Sequence, residues 1–269
     1  MRTRSPRREA ILHQVDAQGV QRPFGILVRM PEPSRLELGR LLGCRVQPGE
    51  LPEAQAWRLI NENIRGLQAR THWVHEMLSP FSRNNNWWEI VTRTASALGL
   101  RFYPGLKDEE VERLLFDHLA AEYLRGHGSS FGDPDRFLGE LHPNLGRAIA
   151  SLGLSHTGRH ALLATLLRAA AAEPIGPAHR RALPTDSDDP REGHNRIADW
   201  LRKAMPWTWA TSIPTGLRLL HQRLGCVCHA FARACRRPGN FGKVAAALSV
   251  IWLYDLVERT AEQFDVVGG

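Results

Sequence analysis

Lysine is almost absent from this chain. Of 35 basic residues in 269, only Lys107, Lys203 and Lys243 are lysines. The positive charge is therefore mostly guanidinium, whose planar fork suits phosphate and carboxylate pairing. A GC-rich genome that encodes arginine by default gives the same bias. Cysteine is scarce too: Cys44, Cys226, Cys228 and Cys235 are the full set, too few for a disulfide scaffold of this length. The longest apolar stretch, "VAAALSVIWLY" (244–254), has 11 residues, whereas a membrane span needs about 20. The opening "MRTRSPRREA" is basic with no apolar run behind it, unlike a secretory leader. No fixed-period repeat is present, which excludes a solenoid. These absences together indicate a cytoplasmic location and no stable membrane span.

What is present is an uneven charge. Of the net +7, four charges sit in residues 1–8 and eight in 191–243, which leaves −5 for the rest. The second zone holds eight arginines and two lysines against Glu192 and Asp199. Such asymmetry points to an acidic partner, with nucleic acid the first candidate.

Helix signals dominate the chain. One stretch, 11–30 ("ILHQVDAQGVQRPFGILVRM"), has hairpin character: Val15 and Val20 flank a glycine turn, and "GILVRM" is rich in strand formers. Beyond it, "SRLELGRLLG" offers Ser34 as an N-cap and Gly43 as a stop, and Pro52 opens the next helix. "NNNWWEIVTRTASALG" begins on asparagines and stops at Gly99. "KDEEVERLLFDHLAAEYL" has acids in its first turn and an apolar face at Val111, Leu114, Leu115 and Leu119. "TGRHALLATLLRAAAAE" reads as another helix, and two long ones follow at roughly 215–237 and 241–264. The expected fold is all-α, a multi-helix bundle with room for a small N-terminal β-hairpin. Residues 1–10 read as a basic disordered tail and 11–173 as a mainly helical domain. Residues 174–194, with four prolines and almost no large apolar side chain, read as a linker, and 195–269 as a basic helical subdomain.

The segment "CVCHAFARAC" (226–235) poses a choice between metal site, redox site and helix face. At about 100° per residue, Leu217, Leu220, Leu224, Val227, Cys228, Phe231 and Cys235 share one side of a helix. Arg218, Arg223, Cys226, His229, Arg233, Arg236 and Arg237 share the other. Cys226 and Cys228 point about 160° apart, and zinc sites space their cysteine pairs more widely. No metal or cofactor is expected. Cys226 among arginines has the setting of a reactive thiol, or is an inert surface cysteine.

Other motifs are weak. The endoribonuclease spacing R-x(4–6)-H occurs at Arg113–His118 and Arg223–His229, but so many arginines and histidines produce it by chance. "LRGHGSSFGDPD" (124–135) resembles a phosphate loop, yet Asp133 and Pro134 already fill the helix start; His127, Ser129 and Ser130 lack an acid at diagnostic spacing. "HTGRH" (156–160) lacks a metalloprotease glutamate. Trp207 and Trp209 lie within the basic zone and serve either base stacking or a helix junction.

The order "AWRLINENIRGLQ … WWEIVTRTASALGLRF … KDEEVERLLFDHLAAEYL" resembles the bacterial YaaW-type family of unknown function. Trp57, Leu59, Ile60, Trp88, Ile90, Leu98, Val111, Glu112 and Leu115 carry the likeness. It covers about 70 residues and brings no catalytic residue. The family's glycine-rich apolar stretch near the C-terminus has no counterpart; arginine-rich helices replace it.

The resulting expectation is a non-enzymatic helical protein, a subunit of a larger bacterial assembly, that binds nucleic acid or an acidic protein partner. The candidate contacts are Arg202, Lys203, Arg218, Arg223, Arg233, Arg236 and Arg237. The alternatives are a small R-x(4–6)-H endoribonuclease and a protein-interaction subunit. The composition of 177–194 also predicts its behaviour under limited proteolysis: trypsin cuts first near Arg180, Arg181 or Arg191. Early cuts only elsewhere would show that this stretch is packed.

Overall fold

The computed structural model describes residues 21–68, 87–103, 105–127, 143–172, 213–235 and 240–267. The described residues are all-α, with no strand among them. Their helices are α1 (Gln21–Arg29), α2 (Glu32–Leu42), α3 (Pro52–Gln68), α4 (Trp87–Ala97), α5 (Asp108–His127), α6 (Pro143–Ser151), α7 (His156–Ala172), α8 (Ile213–Ala234) and α9 (Asn240–Val267). The basic tail 1–10, the first part of the expected hairpin (11–20), the loop 128–135 and the linker 174–194 lie outside the described residues.

The strand-like "GILVRM" is a correction: it belongs to α1 and the turn after it. Its Ile, Leu and Val favour a sheet only when another strand is there to pair with. Here Phe24, Ile26, Leu27 and Met30 are buried instead, with α1 against α3 and α9. Ser34 is a second correction. The chain enters α2 through Pro31, and Ser34 is buried inside the first turn. The helix does stop at Gly43, in the left-handed region at φ 72°, whose amide donates to the Arg40 carbonyl.

α5 starts as its acids require. The Lys107 amide donates to Glu110 at 2.8 Å, one half of a capping box at the first turn. Its buried face is wider than the sequence suggests: Val111, Glu112, Leu115, Phe116, Leu119, Ala120 and Tyr123 face inward, and Leu114 is exposed. Phe116 stacks at 5.6 Å on Phe231 of α8 and at 5.3 Å on Trp252 of α9. Gly158 near the start of α7 lets the Phe116 ring approach, since a Cβ there would lie 2.8 Å from it.

α9 is the centre. Val244 to Leu248 and Val250 to Tyr254 are all buried, which is how a helix apolar all round must sit. It packs against α1, α2, α3, α4, α5 and α8. α8 runs back along it, with His221 stacked on Tyr254 at 3.9 Å. α8 and α9 thereby share one hydrophobic core with the helices that precede residue 174.

One buried carboxylate organises the α1 side of this core. Glu112 is fully buried. Arg22 Nη1 donates to both its oxygens, at 3.0 and 2.8 Å, and Trp87 Nε1 donates to Oε1 at 2.6 Å. Arg22 also reaches Asp255 at 3.5 Å and Glu109 at 3.5 Å. Arg259 meets Asp255 at 3.1 Å, and Arg29 meets Glu258 at 2.9 Å. Arg35 donates to the Leu27, Val28 and Met30 carbonyls and to Gln55, which satisfies the open end of α1. The Tyr254 hydroxyl donates to the Arg29 carbonyl at 2.9 Å.

Burial pushes the Glu112 carboxyl up from 4.5 to about 7, against Arg22 and Trp87, which favour its ionised form. A carboxyl held higher in the folded chain than in the unfolded one favours folding below about 4.5; that contribution fades as pH rises to about 7. Arg22→Ala removes the charge that restrains this rise. The variant should lose about 3 kcal/mol at pH 8, where Glu112 has lost the partner that lets it ionise in the fold, and clearly less at pH 5. Urea unfolding at both pH values checks this; equal losses would show that the Glu112 charge is not what Arg22 compensates.

Candidate nucleic-acid interface

α8 spans 22 residues without one acid. Its apolar positions sort to one side: Leu217, Leu220, Leu224, Val227, Cys228, Phe231 and Ala234 are buried. Arg218, Gln222, Arg223 and Arg233 are exposed on the other, with Cys226 and His229 half-buried. Arg218 to Arg233 covers about 22 Å of helix axis. Lys243, one turn into α9 and close to the end of α8 in the chain, is exposed too. Arg218 and Arg223 also interact within the chain. Four of the seven predicted contacts, Arg202, Lys203, Arg236 and Arg237, lie outside the described residues, as do Trp207 and Trp209.

The helix expected at roughly 215–237 is observed from Ile213 to Ala234. Cys228 is buried, as its apolar face requires, and Cys235 is half-buried. Of the two readings of Cys226, its half-buried position favours the inert one. Burial pushes that thiol up and Glu37 of α2 adds to the rise, against Arg223, which favours the thiolate. An acidic neighbour from another helix was not legible in the run "CVCHAFARAC".

That neighbour is the residue sequence reasoning missed. α2 crosses α8 at Gly225, where the side chain of Glu37 lies over the glycine: an ideal Cβ there would fall 1.6 Å from Glu37 Oε2. Only a glycine admits this approach. Arg40, one turn further along α2, is exposed and adds a cation to the same helix pair. The signal available in sequence was a lone glycine inside a strongly amphipathic helix, which usually marks close packing.

Neither arginine–histidine spacing brings its two side chains together, and the loop candidates Ser129 and Ser130 lie outside the described residues. Residues five or six apart on a helix point about 120–140° from each other, so neither Arg113–His118 on α5 nor Arg223–His229 on α8 converges on a substrate. Arg113 is exposed and His118 half-buried. His156 is exposed and His160 buried at the start of α7, their rings 6.1 Å apart. Among the described residues no group of three or more His, Cys, Asp or Glu is placed to hold a metal, and no helix is long and apolar enough to cross a membrane. Glu112 has the raised pKa of an acid catalyst, but its two oxygens are occupied by Arg22 and Trp87 and its side chain is sealed from solvent. Burial likewise pushes His221 down to about 4, which keeps it neutral beneath Tyr254.

The chain matches no protein-family model, no curated protein and no solved structure.

The environment of α8 sets an order of thiol reactivity. A small alkylating reagent at pH 8 should modify Cys226 well ahead of Cys228, and Arg223→Ala should slow Cys226 by removing the cation that favours its thiolate. Mass spectrometry of partly labelled protein checks both. Cys228 reacting as fast as Cys226 would contradict the burial of the α8 inner face.

Proposed function

We propose that the chain is a non-enzymatic multi-helix bundle that binds nucleic acid through the outer face of α8, within a larger bacterial assembly. The observation that supports this most is the sorting of α8: no acid in 22 residues, arginines outward, apolar side chains inward. On such a face the cationic potentials add and attract a polyanion. Arg218, Arg223 and Arg233 make the phosphate contacts; Arg236 and Arg237 continue the stripe in sequence, and Arg202 and Lys203 belong to the same basic zone. The YaaW-type likeness fits a helical protein but names no ligand. A second reading, an interaction subunit that receives acidic side chains of a partner protein, draws on Glu37: a carboxylate already lies on α8 at Gly225.

Duplex DNA titrations distinguish the two. If about four arginines each neutralise a phosphate, log K falls with log salt at a slope of roughly −3 to −4. Arg233→Ala with Arg236→Ala should weaken binding at every sequence tested and flatten that slope by about two. No affinity for DNA or RNA at about 50 mM salt would replace this reading with the interaction subunit.

A further inference from the structure

The link between α4 and α5 carries the most exposed large apolar side chain among the described residues: Tyr103, 83% exposed. Exposure alternates along this link. Leu100 and Phe102 pack against the core, Phe102 edge-on to Trp88 at 6.4 Å, while Arg101 and Tyr103 face solvent. Arg101 and Tyr103 therefore stand on one side, their Cα atoms at most about 7 Å apart. The chain then turns: the Leu106 amide donates to the Tyr103 carbonyl at 3.4 Å, Gly105 sits at φ 102°, and Leu106 rejoins the core. Lys107 is exposed beside the turn. The side chains of Arg101, Tyr103 and Lys107 make no hydrogen bond or ion pair with any described residue. Of the acids that follow, Asp108 is half-buried, Glu109 meets Arg22 at 3.5 Å and Arg259 at 3.6 Å, and Glu110 accepts the Lys107 amide. Through Arg22 the start of α1 lies at this same end, so residues 1–8, four arginines without an acid, are tethered here.

We propose that this turn is a second nucleic-acid contact, one for single strands: an unpaired base stacks on the Tyr103 ring while Arg101 and Lys107 meet the neighbouring phosphates. A base inside a duplex keeps its faces against its neighbours, whereas an unpaired base can lay one on an aromatic side chain. Aromatic faces set among cations bind single strands with little regard to sequence, because every base has a face to stack. The anchoring of the turn matters here. Phe102 against Trp88 and Leu106 in the core hold the backbone on both flanks of Tyr103, so stacking orders little beyond the Tyr103 side chain itself. The two free cations select a polyanion over an apolar peptide, and the arginines of residues 1–8 add to the potential at this end. The contact does not rest on the reading of α8 as a phosphate-binding face; it adds to that reading a second place and a preference for unpaired bases.

The test measures binding of the full chain by fluorescence anisotropy at about 50 mM salt, to labelled single strands of thymidine or uridine about 12 nucleotides long and to a duplex of about 20 base pairs. At 83% exposure Tyr103 can be truncated without opening the core, and circular dichroism checks that each variant is folded. Tyr103→Ala should weaken single-strand binding about five- to 100-fold and leave duplex binding unchanged, while Tyr103→Phe keeps the ring and should stay within about twofold of wild type. Arg101→Ala with Lys107→Ala should flatten the single-strand salt slope by about 1.4. A single strand carrying iodouracil, irradiated in the complex, should crosslink to Tyr103, as mapped by mass spectrometry; crosslinks confined to other residues overturn the proposal. Unchanged single-strand affinity in Tyr103→Ala overturns it and leaves the α8 reading standing. An equal fall in single-strand and duplex affinity, or a loss in Tyr103→Phe as large as in Tyr103→Ala, also overturns it. So does a wild-type chain that binds no single strand, and duplex binding then decides the α8 reading by itself.

Discussion

A carboxylate sealed inside protein must be met by donors or it will not stay ionised. Glu112 is met by Arg22 from α1 and Trp87 from α4, and it stands on α5. Through Arg22 the same cluster reaches Asp255 on α9. Four helices that are far apart in the chain therefore agree on one point. α1 depends on this most. Its nine residues are fewer than the roughly 12–15 that an isolated helix needs in water. Arg22 fixes its first turn to α5 and α9, Arg29 fixes its last turn to Glu258, and Arg35 closes its carbonyls. The apolar face of α1 supplies burial; the arginines supply position and register.

The arginines of this chain thus serve two unlike purposes. Arg22 and Arg35 point inward, where desolvation makes a missing partner expensive and the geometry exacting. Arg218 and Arg233 point outward, where solvent screens each charge and only their sum over a face matters. Composition alone cannot separate the two kinds. What separates them is the company each keeps: acids of α5 and α9 around Arg22, the α1 carbonyls and Gln55 around Arg35, and a helix without acids beneath the second group.

Much of the fold was legible because helices announce themselves through period and caps. The starts of α3, α5 and α7 and the inward face of α8 follow from proline, acidic first turns and apolar spacing read locally. The errors share a cause. "GILVRM" reads as a strand until α3 and α9 give its apolar side chains a helical seat. Leu114 reads as core until the packing of Phe116 against Phe231 and Trp252 rotates α5 and turns Leu114 outward. Glu112 was visible only as one position of a family likeness; nothing local says that Arg22, 90 residues earlier, will pair with it. Glu37 against Gly225 is the same case for the candidate site, since a contact between helices nearly 190 residues apart leaves only a glycine as its trace.

The seat of α9 at the centre has a consequence for how the chain is made. Synthesis delivers α1 to α8 before α9, yet six of those helices bury surface against it. Until residues 244–257 are available, the inner faces of α1 through α5 have no common partner, and the Arg22 cluster lacks Asp255. Long-range contacts of this kind form slowly, and a nascent chain that waits with apolar faces uncovered is exposed to aggregation. Before that the nascent helices are half-satisfied, and α9, the most apolar of the described helices, is what gives them a common partner.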